Sequence, residues 1–264
     1  MDRKKITEKL NTDKLGRQLE LFDIINYSTN TRVRELLEGG APDGVCVIAD
    51  IQLQGRGRSG RVWSSGSPGE SIAMSVALEA DRSDGLAAVT LAGALAVRDA
   101  IASFSQEPDR IGIKWPNDIL VSGLKVCGIL TELVSCAGSR RLIMGIGVNI
   151  AQKSFSPELE KQATSLAIQG IRAGQEELAA EILNALERRY RTFRSFGFTA
   201  LRDEYNGCLI CRDEEIDIID PSSVSRGICR GVNSAGEILL ERDGVITGFS
   251  AGEVSVRGAF YGKK

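Results

Sequence analysis

The stretch GLAAVTLAGALAVRDAIASF, residues 85–104, constrains the fold of this chain more than any other segment. Its apolar residues occupy nearly every side of a helical wheel, and a helix that is apolar all round is buried inside a protein. We therefore predict a long helix in the interior. A chain of 264 residues is long enough to bury such a core, in one large domain or in a large domain plus a small one.

Strand patterns stand on both sides of this helix in the sequence. VCVIADIQL (45–53) and SIAMSVALE (71–79) are typical of buried strands. After the helix, three further apolar segments are separated by turns at Ser122-Gly123 and at 137–139, which indicates an antiparallel meander. A shorter helix is expected to begin near Asn30, with Asn30 or Thr29 as its N-cap, and to end at Gly39-Gly40.

The sequence changes character after residue 212. An amphipathic helix is predicted over 176–196, and short strands with glycine-containing turns follow, as in a small all-β barrel. The first twenty residues are polar and are interpreted as an appendage or a short helix. We therefore expect an α+β protein with an N-terminal appendage (1–20), a large α+β domain (21–211) and a C-terminal barrel (212–264).

Charge and composition exclude some classes of function. The chain has 33 Lys+Arg and 35 Asp+Glu, so its net charge is −2, whereas domains that bind nucleic acid are usually strongly basic. We find no signal peptide and no apolar run long enough to span a membrane. Six cysteines scattered through apolar segments suggest reduced core thiols rather than a disulfide framework. We expect a cytoplasmic protein that binds neither DNA nor membrane.

A glycine- and arginine-rich stretch, GRGRSGRVW at 55–63, lies between the two strands that precede the long helix. Its glycines allow backbone amides to approach an anion closely, and its arginines offer bidentate hydrogen bonds to a carboxylate or a phosphate. The pattern is neither a Walker loop nor a dinucleotide fingerprint. From these residues alone, a solvated basic loop and a nucleic-acid-binding arm remain open.

Three other features give this loop a context. KWPND at 114–118 puts a lysine, an aromatic, an amide and a carboxylate at a strand end. Lys125 lies in an otherwise apolar strand, where an uncompensated ammonium is costly, so it needs an anion or an exposed strand edge. Gly145 and Gly147 weaken a strand interior unless some group must approach the backbone closely.

Together these stretches closely resemble the biotin protein ligases, the biotin-[acetyl-CoA-carboxylase] ligase family. The resemblance covers about residues 21–258 and rests on blocks in the family order, namely STN (28–30), GRGRSGRVW, KWPNDI (114–119), LKVCGILTE (124–132), GIGVNI (145–150), TSL (164–166) and the tail 225–257. It implies a class II synthetase-like catalytic domain of the biotin/lipoate ligase type, with a mixed or antiparallel sheet, and an SH3-like barrel. It also implies that ATP and Mg²⁺ are used to make biotinyl-5′-AMP, and that biotin is then transferred to a lysine of a biotin carboxyl carrier protein.

The resemblance also implies roles for individual residues. Biotin would contact Ser28, Thr29, Asn30, Gln52, Gly55, Arg56, Gly57, Arg58, Lys125 and Gly128. ATP and the adenylate would contact Arg56, Arg58, Arg61, Trp63, Lys114, Asn117, Asn149 and Arg257. The catalytic residues would be Lys125, Arg58 and Asp118, and Mg²⁺ would bind near Asn117 and Asp118.

Other functions remain possible beside the one that this resemblance implies. Lipoate-protein ligases share the catalytic fold, but the GRGR loop and EVSVR at 253–257 favour the biotin branch. A non-enzymatic protein that senses biotin or binds nucleic acid is disfavoured by Lys125, by Asn117-Asp118 and by the acidic composition. We expect the form without the DNA-binding domain that some relatives carry. A homodimer stays open, as does the effect of Gln54, which stands where many relatives have a small residue.

Overall fold

The computed structural model describes residues 1–80, 85–136, 139–220, 223–251 and 255–258. The helices are α1 (Arg3–Thr7), α2 (Thr29–Glu38), α3 (Leu86–Ala102), α4 (Gln175–Phe196) and α5 (Arg202–Cys208). The first nine strands are β1 (Leu19–Ile25), β2 (Cys46–Gln52), β3 (Gly55–Arg56), β4 (Val62–Trp63), β5 (Ser71–Glu79), β6 (Ile111–Lys114), β7 (Asp118–Val121), β8 (Leu124–Cys136) and β9 (Ser139–Asn149). The remaining five are β10 (Glu215–Ile219), β11 (Val224–Val232), β12 (Ile238–Arg242), β13 (Val245–Phe249) and β14 (Ser255–Gly258).

A seven-stranded sheet in the order β1-β2-β5-β9-β8-β7-β6 forms the large domain. β1 and β2 are parallel and the other pairs are antiparallel, so the expectation of a mixed α+β sheet is confirmed. The meander is confirmed as β6 to β9. Its first turn has positive φ at both Ser122 (50°) and Gly123 (79°). Residues 137–138 of the second predicted turn lie outside the described residues.

The two faces of the sheet are covered by different helices. Twelve of the 17 residues of α3 are buried, so the predicted interior helix is confirmed. α3 and α4 pack over the face that carries Ile48, Met74 and Ile146. Because side chains alternate along a strand, Val47 and Ile143 point the other way, where α2 covers them.

The N-cap expected for α2 is wrong. Ser28 is the cap, since its Oγ accepts a hydrogen bond of 3.3 Å from the Asn30 backbone amide. Thr29 and Asn30 lie in the first turn, and their side chains bond instead to the buried Ser75 hydroxyl, at 2.6 Å each. Both side chains are thus engaged with β5, a partner that the local sequence does not show, and neither caps the helix.

The first eighteen residues pack against the large domain. Ile6 and Leu10 are buried in the same core as α4. The Asn184 side chain of α4 accepts from the Asn11 amide at 2.7 Å and donates to the Lys9 carbonyl at 3.0 Å. β1 follows and was not predicted.

The C-terminal strands form an antiparallel sheet of five strands in the order β13-β12-β11-β10-β14, which is consistent with the predicted SH3-like barrel, although among the described residues β13 and β14 do not pair to close it. Trp115 of the large domain is 1% exposed and donates from Nε1 to the Gly236 carbonyl between β11 and β12, at 3.1 Å. The boundaries at 20/21 and 211/212 stay predictions. Within the part of the chain that the structure describes, no helix combines the length and the apolarity needed to cross a membrane.

Candidate functional site

A cavity of about 540 Å³ lies over one end of the large sheet, between the N-terminus of α2, the arginine loop and the segment 152–163. Its walls carry most of the predicted site residues, namely Ser28, Thr29, Asn30, Gln52, Arg56, Gly57, Arg58, Arg61, Trp63, Lys114, Asn117, Asp118, Lys125, Gly128 and Asn149. Gly55 and Arg257 do not line it. The sequence therefore predicted one contiguous site from segments that are distant along the chain.

Asn30 is packed against the middle of β9. A Cβ at Gly145 would lie 2.3 Å from Asn30 Oδ1, so only glycine leaves room for this side chain. Asn30 Nδ2 donates to Glu132 Oε2 at 2.7 Å, and the same carboxylate forms an ion pair of 3.2 Å with Arg56 of the loop. Glu132 was not predicted as a site residue, although it lies within the LKVCGILTE block. At this end of the cavity, the polar groups are paired with one another.

Gln52 connects α2 to the loop. Its Oε1 accepts from the Thr29 amide at 3.2 Å, and its backbone amide donates to the Ser65 hydroxyl at 3.1 Å. A Cβ at Gly55 would lie 2.3 Å from the Trp63 carbonyl oxygen and 2.8 Å from Gln52 Nε2. Gly55 therefore allows the β3-β4 hairpin to close, whereas it was predicted to contact biotin.

The loop turns Arg58 inward. Arg58 donates to Asn117 Oδ1 at 3.2 Å and to the Ala251 carbonyl next to the C-terminal sheet. Burial lowers the pKa of Arg58, and the Asp118 carboxylate opposes this shift. Because a solvated basic loop would leave all its arginines in water, this geometry indicates a cation held ready for an anion. Arg56 and Arg61 are more exposed.

Trp63 lies flat on the glycines of β8 and β9. A Cβ at Gly147 would be 2.4 Å from its Cε2 atom, and one at Gly128 would be 3.4 Å from its Cζ3 atom. The indole ring therefore requires glycine at position 147, just as the Asn30 side chain requires glycine at position 145. Trp63 Nε1 is buried and has no hydrogen-bond acceptor among the described residues.

Lysines and Arg58 surround Asp118 at the floor of the cavity. Lys125 Nζ is 2.7 Å from Asp118 Oδ1 and 6.0 Å from the centre of the Trp63 ring. The pKa of Lys114 is lowered to about 8, mainly by burial and also by the charges of Lys125 and Arg61, while the Asp118 carboxylate opposes the shift. Lys125 thus faces the cavity rather than a solvated strand edge. Positive charge in excess over one carboxylate suits a phosphate-bearing ligand.

The segment 152–163 forms the opposite wall and was not predicted. The Lys125 amide donates to the Gln162 carbonyl at 2.8 Å, and the Thr164 amide donates to the Lys125 carbonyl at 2.8 Å. These bonds hold the segment against the start of β8, where Phe155 and Leu159 line the cavity. The segment 152–163 contains no recognisable motif, so its place in the cavity wall could not be predicted from the sequence. Arg257 is exposed on β14, opposite Asp217 in the strand register.

The described residues do not form a resident metal site. Among them, no group of three or more His, Cys, Asp or Glu side chains is placed to hold an ion. Asn117 Oδ1 already accepts from Arg58, and Asp118 Oδ1 is paired with Lys125. A cation added between them would meet two positive groups, so the surroundings disfavour a protein-held Mg²⁺, and the site near Asn117 and Asp118 stays a prediction.

Comparison with known proteins identifies the family. The profile of the Biotin/lipoate A/B protein ligase family matches residues 21–149. The "Bifunctional ligase/repressor BirA" of Bacillus spizizenii is 35% identical over 249 residues, which cover 92% of this chain and 75% of that protein. The "Biotin--[acetyl-CoA-carboxylase] ligase" of Mycobacterium tuberculosis is 31% identical over 232 residues, covering 86% of this chain and 85% of that protein.

A solved structure agrees with these relatives. The biotin protein ligase from Aquifex aeolicus in complex with biotin and ATP superposes with a TM-score of 0.81 at 26% identity, covering 92% of this chain and 100% of that one. The resemblance found in the sequence blocks is thereby confirmed, as is the fold that it implied. The chain belongs to the biotin protein ligases of the biotin/lipoate A/B protein ligase family.

Proposed function

We propose that the protein is an ATP-dependent biotin protein ligase. It joins biotin to ATP, forming biotinyl-5′-AMP and releasing pyrophosphate, and then transfers biotin to a lysine of a biotin carboxyl carrier protein. One observation carries this proposal. In this member of the family, Lys125, Lys114 and Arg58 surround Asp118 in the cavity, next to the Trp63 ring. ATP is the substrate as its Mg²⁺ complex, with the ion carried by the phosphates.

In the first step, a biotin carboxylate oxygen attacks the α-phosphorus of ATP. A new O–P bond forms as the bond to the leaving pyrophosphate breaks. Both reactants are anions, so fixed cations must offset their repulsion and stabilise the charge on the leaving group. Lys125 exchanges part of its interaction with Asp118 for the biotin carboxylate, while Lys114, Arg58 and Arg61 hold the phosphates.

The substrates occupy different parts of the cavity. The ureido head group of biotin needs donors and acceptors, which Ser28, Thr29, Asn30 and Gln52 supply at the end near α2. Gly128 leaves room against β8 for the Lys125 ammonium and the Trp63 ring, which contact the ligand. The adenine stacks on Trp63 near Asn149, since a large aromatic ring binds a base well. Arg56, Gly57 and Arg58 fold over the product, whereas Arg257, which does not line the cavity, would have to move to reach the phosphates.

In the second step, the acceptor lysine amine attacks the biotin carbonyl carbon. An amide bond forms, the bond to the AMP oxygen breaks, and the amine loses a proton. Asp118 and Asn117 orient the incoming amine. Biotinyl-5′-AMP is a mixed anhydride that water hydrolyses, so closure of the arginine loop protects it between the two steps.

Biotin-dependent exchange of labelled pyrophosphate into ATP tests this proposal directly. We expect exchange with biotin and none with lipoate, followed by labelling of a carrier domain that has its acceptor lysine but not of one in which that lysine is arginine. Exchange that depends on lipoate and not on biotin would contradict the proposal. The expected lack of DNA binding and the possible homodimer stay predictions.

A further inference from the structure

Gln152 has an unsatisfied polar atom in the wall of the cavity. The residue lies three positions beyond the end of β9, is 6% exposed and lines the cavity. Its Oε1 atom is buried and has no hydrogen-bond partner among the described residues. A buried acceptor without a partner is costly, so such an atom points to a missing donor.

A chain of hydrogen bonds fixes which side-chain atom is the oxygen. The Thr164 carbonyl can only accept, and Asn149 donates to it from Nδ2 at 3.1 Å. Asn149 therefore presents Oδ1 to Gln152, which must donate from Nε2, also at 3.1 Å. The backbone is held as well, since Ser165 Oγ donates to the Gln152 carbonyl at 2.7 Å. Oε1 is thus the atom left over, and the site requires an N–H or O–H group.

The position of this acceptor selects the part of the ligand that meets it. Asn30 contacts β9 at Gly145, and Asn149 lies four residues further, or roughly 13 Å along an extended strand. A Cβ at Gly66 would lie 3.4 Å from Gln152 Cγ, so Gln152 packs against the chain just after Trp63. The acceptor is therefore at the Trp63 and Asn149 end of the cavity, away from the paired polar groups around Asn30.

We propose that Gln152 Oε1 accepts a hydrogen bond from the exocyclic 6-amino group of adenine and makes the enzyme select ATP. An amino group at this position gives the buried Oε1 atom the hydrogen-bond donor that it lacks. Guanine places a carbonyl oxygen there, so two acceptors would face each other, and a purine with hydrogen leaves Oε1 unpaired. A site built around such a bond rejects analogues that lack the donor. This inference rests on the proposed function, because it assigns the nucleotide to this end.

The test combines a change in the ligand with a change in the protein. With the wild-type enzyme, the KM in biotin-dependent pyrophosphate exchange should be about tenfold higher for purine riboside 5′-triphosphate, which has hydrogen in place of the amino group, than for ATP. Gln152→Met keeps the length and removes both the acceptor and the donor to Asn149. It should raise the KM for ATP to near that of the analogue and leave the analogue's KM little changed, whereas a displaced Asn149 would raise both. Gln106→Met, at an exposed glutamine remote from the cavity, is the control and should keep wild-type discrimination.

Each outcome separates this inference from the proposed function. If the wild-type enzyme turns over ATP with biotin but does not discriminate against the analogue, the assignment of Gln152 is wrong while the ligase activity stands. An increase in the KM for biotin, with ATP discrimination intact in Gln152→Met, would also refute it and place the acceptor on the biotin ureido group. Absence of exchange with ATP would contradict the proposed function itself. If Gln152→Met fails to fold, the wild-type comparison can still refute the inference, because equal KM values for ATP and the analogue would leave no donor for Oε1.

Discussion

Gly147→Ala tests the placement of Trp63 on the sheet. The added Cβ would lie 2.4, 2.7 and 2.8 Å from the indole Cε2, Cζ2 and Cδ2 atoms. Carbon atoms pack at about 3.5 to 4.0 Å, so the ring must move outward by roughly 1 Å or more. It can do so because Trp63 belongs to a two-residue strand of the loop, whereas Gly147 is fixed between β5 and β8.

This displacement should affect both stability and nucleotide binding. Overpacking of this kind costs about 1 to 3 kcal/mol in the free energy of unfolding. An aromatic stacking contact contributes about 0.5 to 1.5 kcal/mol, so the KM for ATP should rise by about two- to tenfold. Binding of the biotin head group around Asn30 should change less, because the added methyl group is directed at Trp63.

Urea unfolding and pyrophosphate exchange measure the two effects. Gly207→Ala is the matched control, since a Cβ there meets no atom within 4 Å and alanine in a helix is favoured by about 0.5 to 1 kcal/mol. In a Trp63→Ala background, Gly147→Ala should lose most of its cost because the clash is gone. A penalty that persists in that background would refute the reasoning and show that Gly147 is required by the strand itself.

Four further predictions concern the cations of the site. Lys125→Ala should keep its circular dichroism spectrum yet slow biotin-dependent pyrophosphate exchange about a hundredfold, because one preorganised charge contributes about 3 kcal/mol; near-normal exchange would remove Lys125 from the site. Lys114, whose pKa is lowered to about 8, loses its charge as the pH rises through that value, so the KM for ATP should increase from pH 7 to 9 in the wild type and not in Lys114→Met. Between pH 8 and the usual pKa of 10.5, Lys114 binds more protons in the unfolded state than in the folded state, so the free energy of unfolding of the wild type should rise relative to that of Lys114→Met over this window. Trypsin cleavage in the loop 54–66 should be fastest without ligand, slower with biotin and slowest with biotin plus MgATP, and equal rates would mean that the loop does not close over the ligand.

The parts of the fold with strong periodicity could be predicted from sequence. β5 has the predicted bounds, α3 is buried as its composition required, and the strands after it form the expected meander. β1 was missed because this edge strand is only partly buried and contains Glu20 and Asp23, so its apolar residues do not alternate cleanly. Local pattern indicates a strand only when tertiary burial is strong enough to shape the sequence.

The site, like the fold, could be predicted only in part from the sequence. Arginine, lysine and glycine in unusual positions revealed most of the residues that line the cavity. Glu132 and Gln152 were not found, because a carboxylate or an amide near a strand end is ordinary until its partners are known. The glycines at 145 and 147 signalled a close approach correctly, but the approaching groups, Asn30 and Trp63, belong to distant segments. Such pairings follow from topology and cannot be derived from spacing along the chain.

The bond between Trp115 and Gly236 has a consequence for biosynthesis. Trp115 lies next to Lys114 at the end of β6, and the carbonyl that accepts its indole N–H belongs to a segment translated more than a hundred residues later. While the ribosome is still making that segment, this buried donor has no acceptor and the adjoining core is incomplete. We therefore expect this part of the nascent large domain to stay exposed to chaperones and proteases until the C-terminal strands emerge and dock. Slow translation after β9 would lengthen that exposure, so codon choice there should influence the yield of active enzyme.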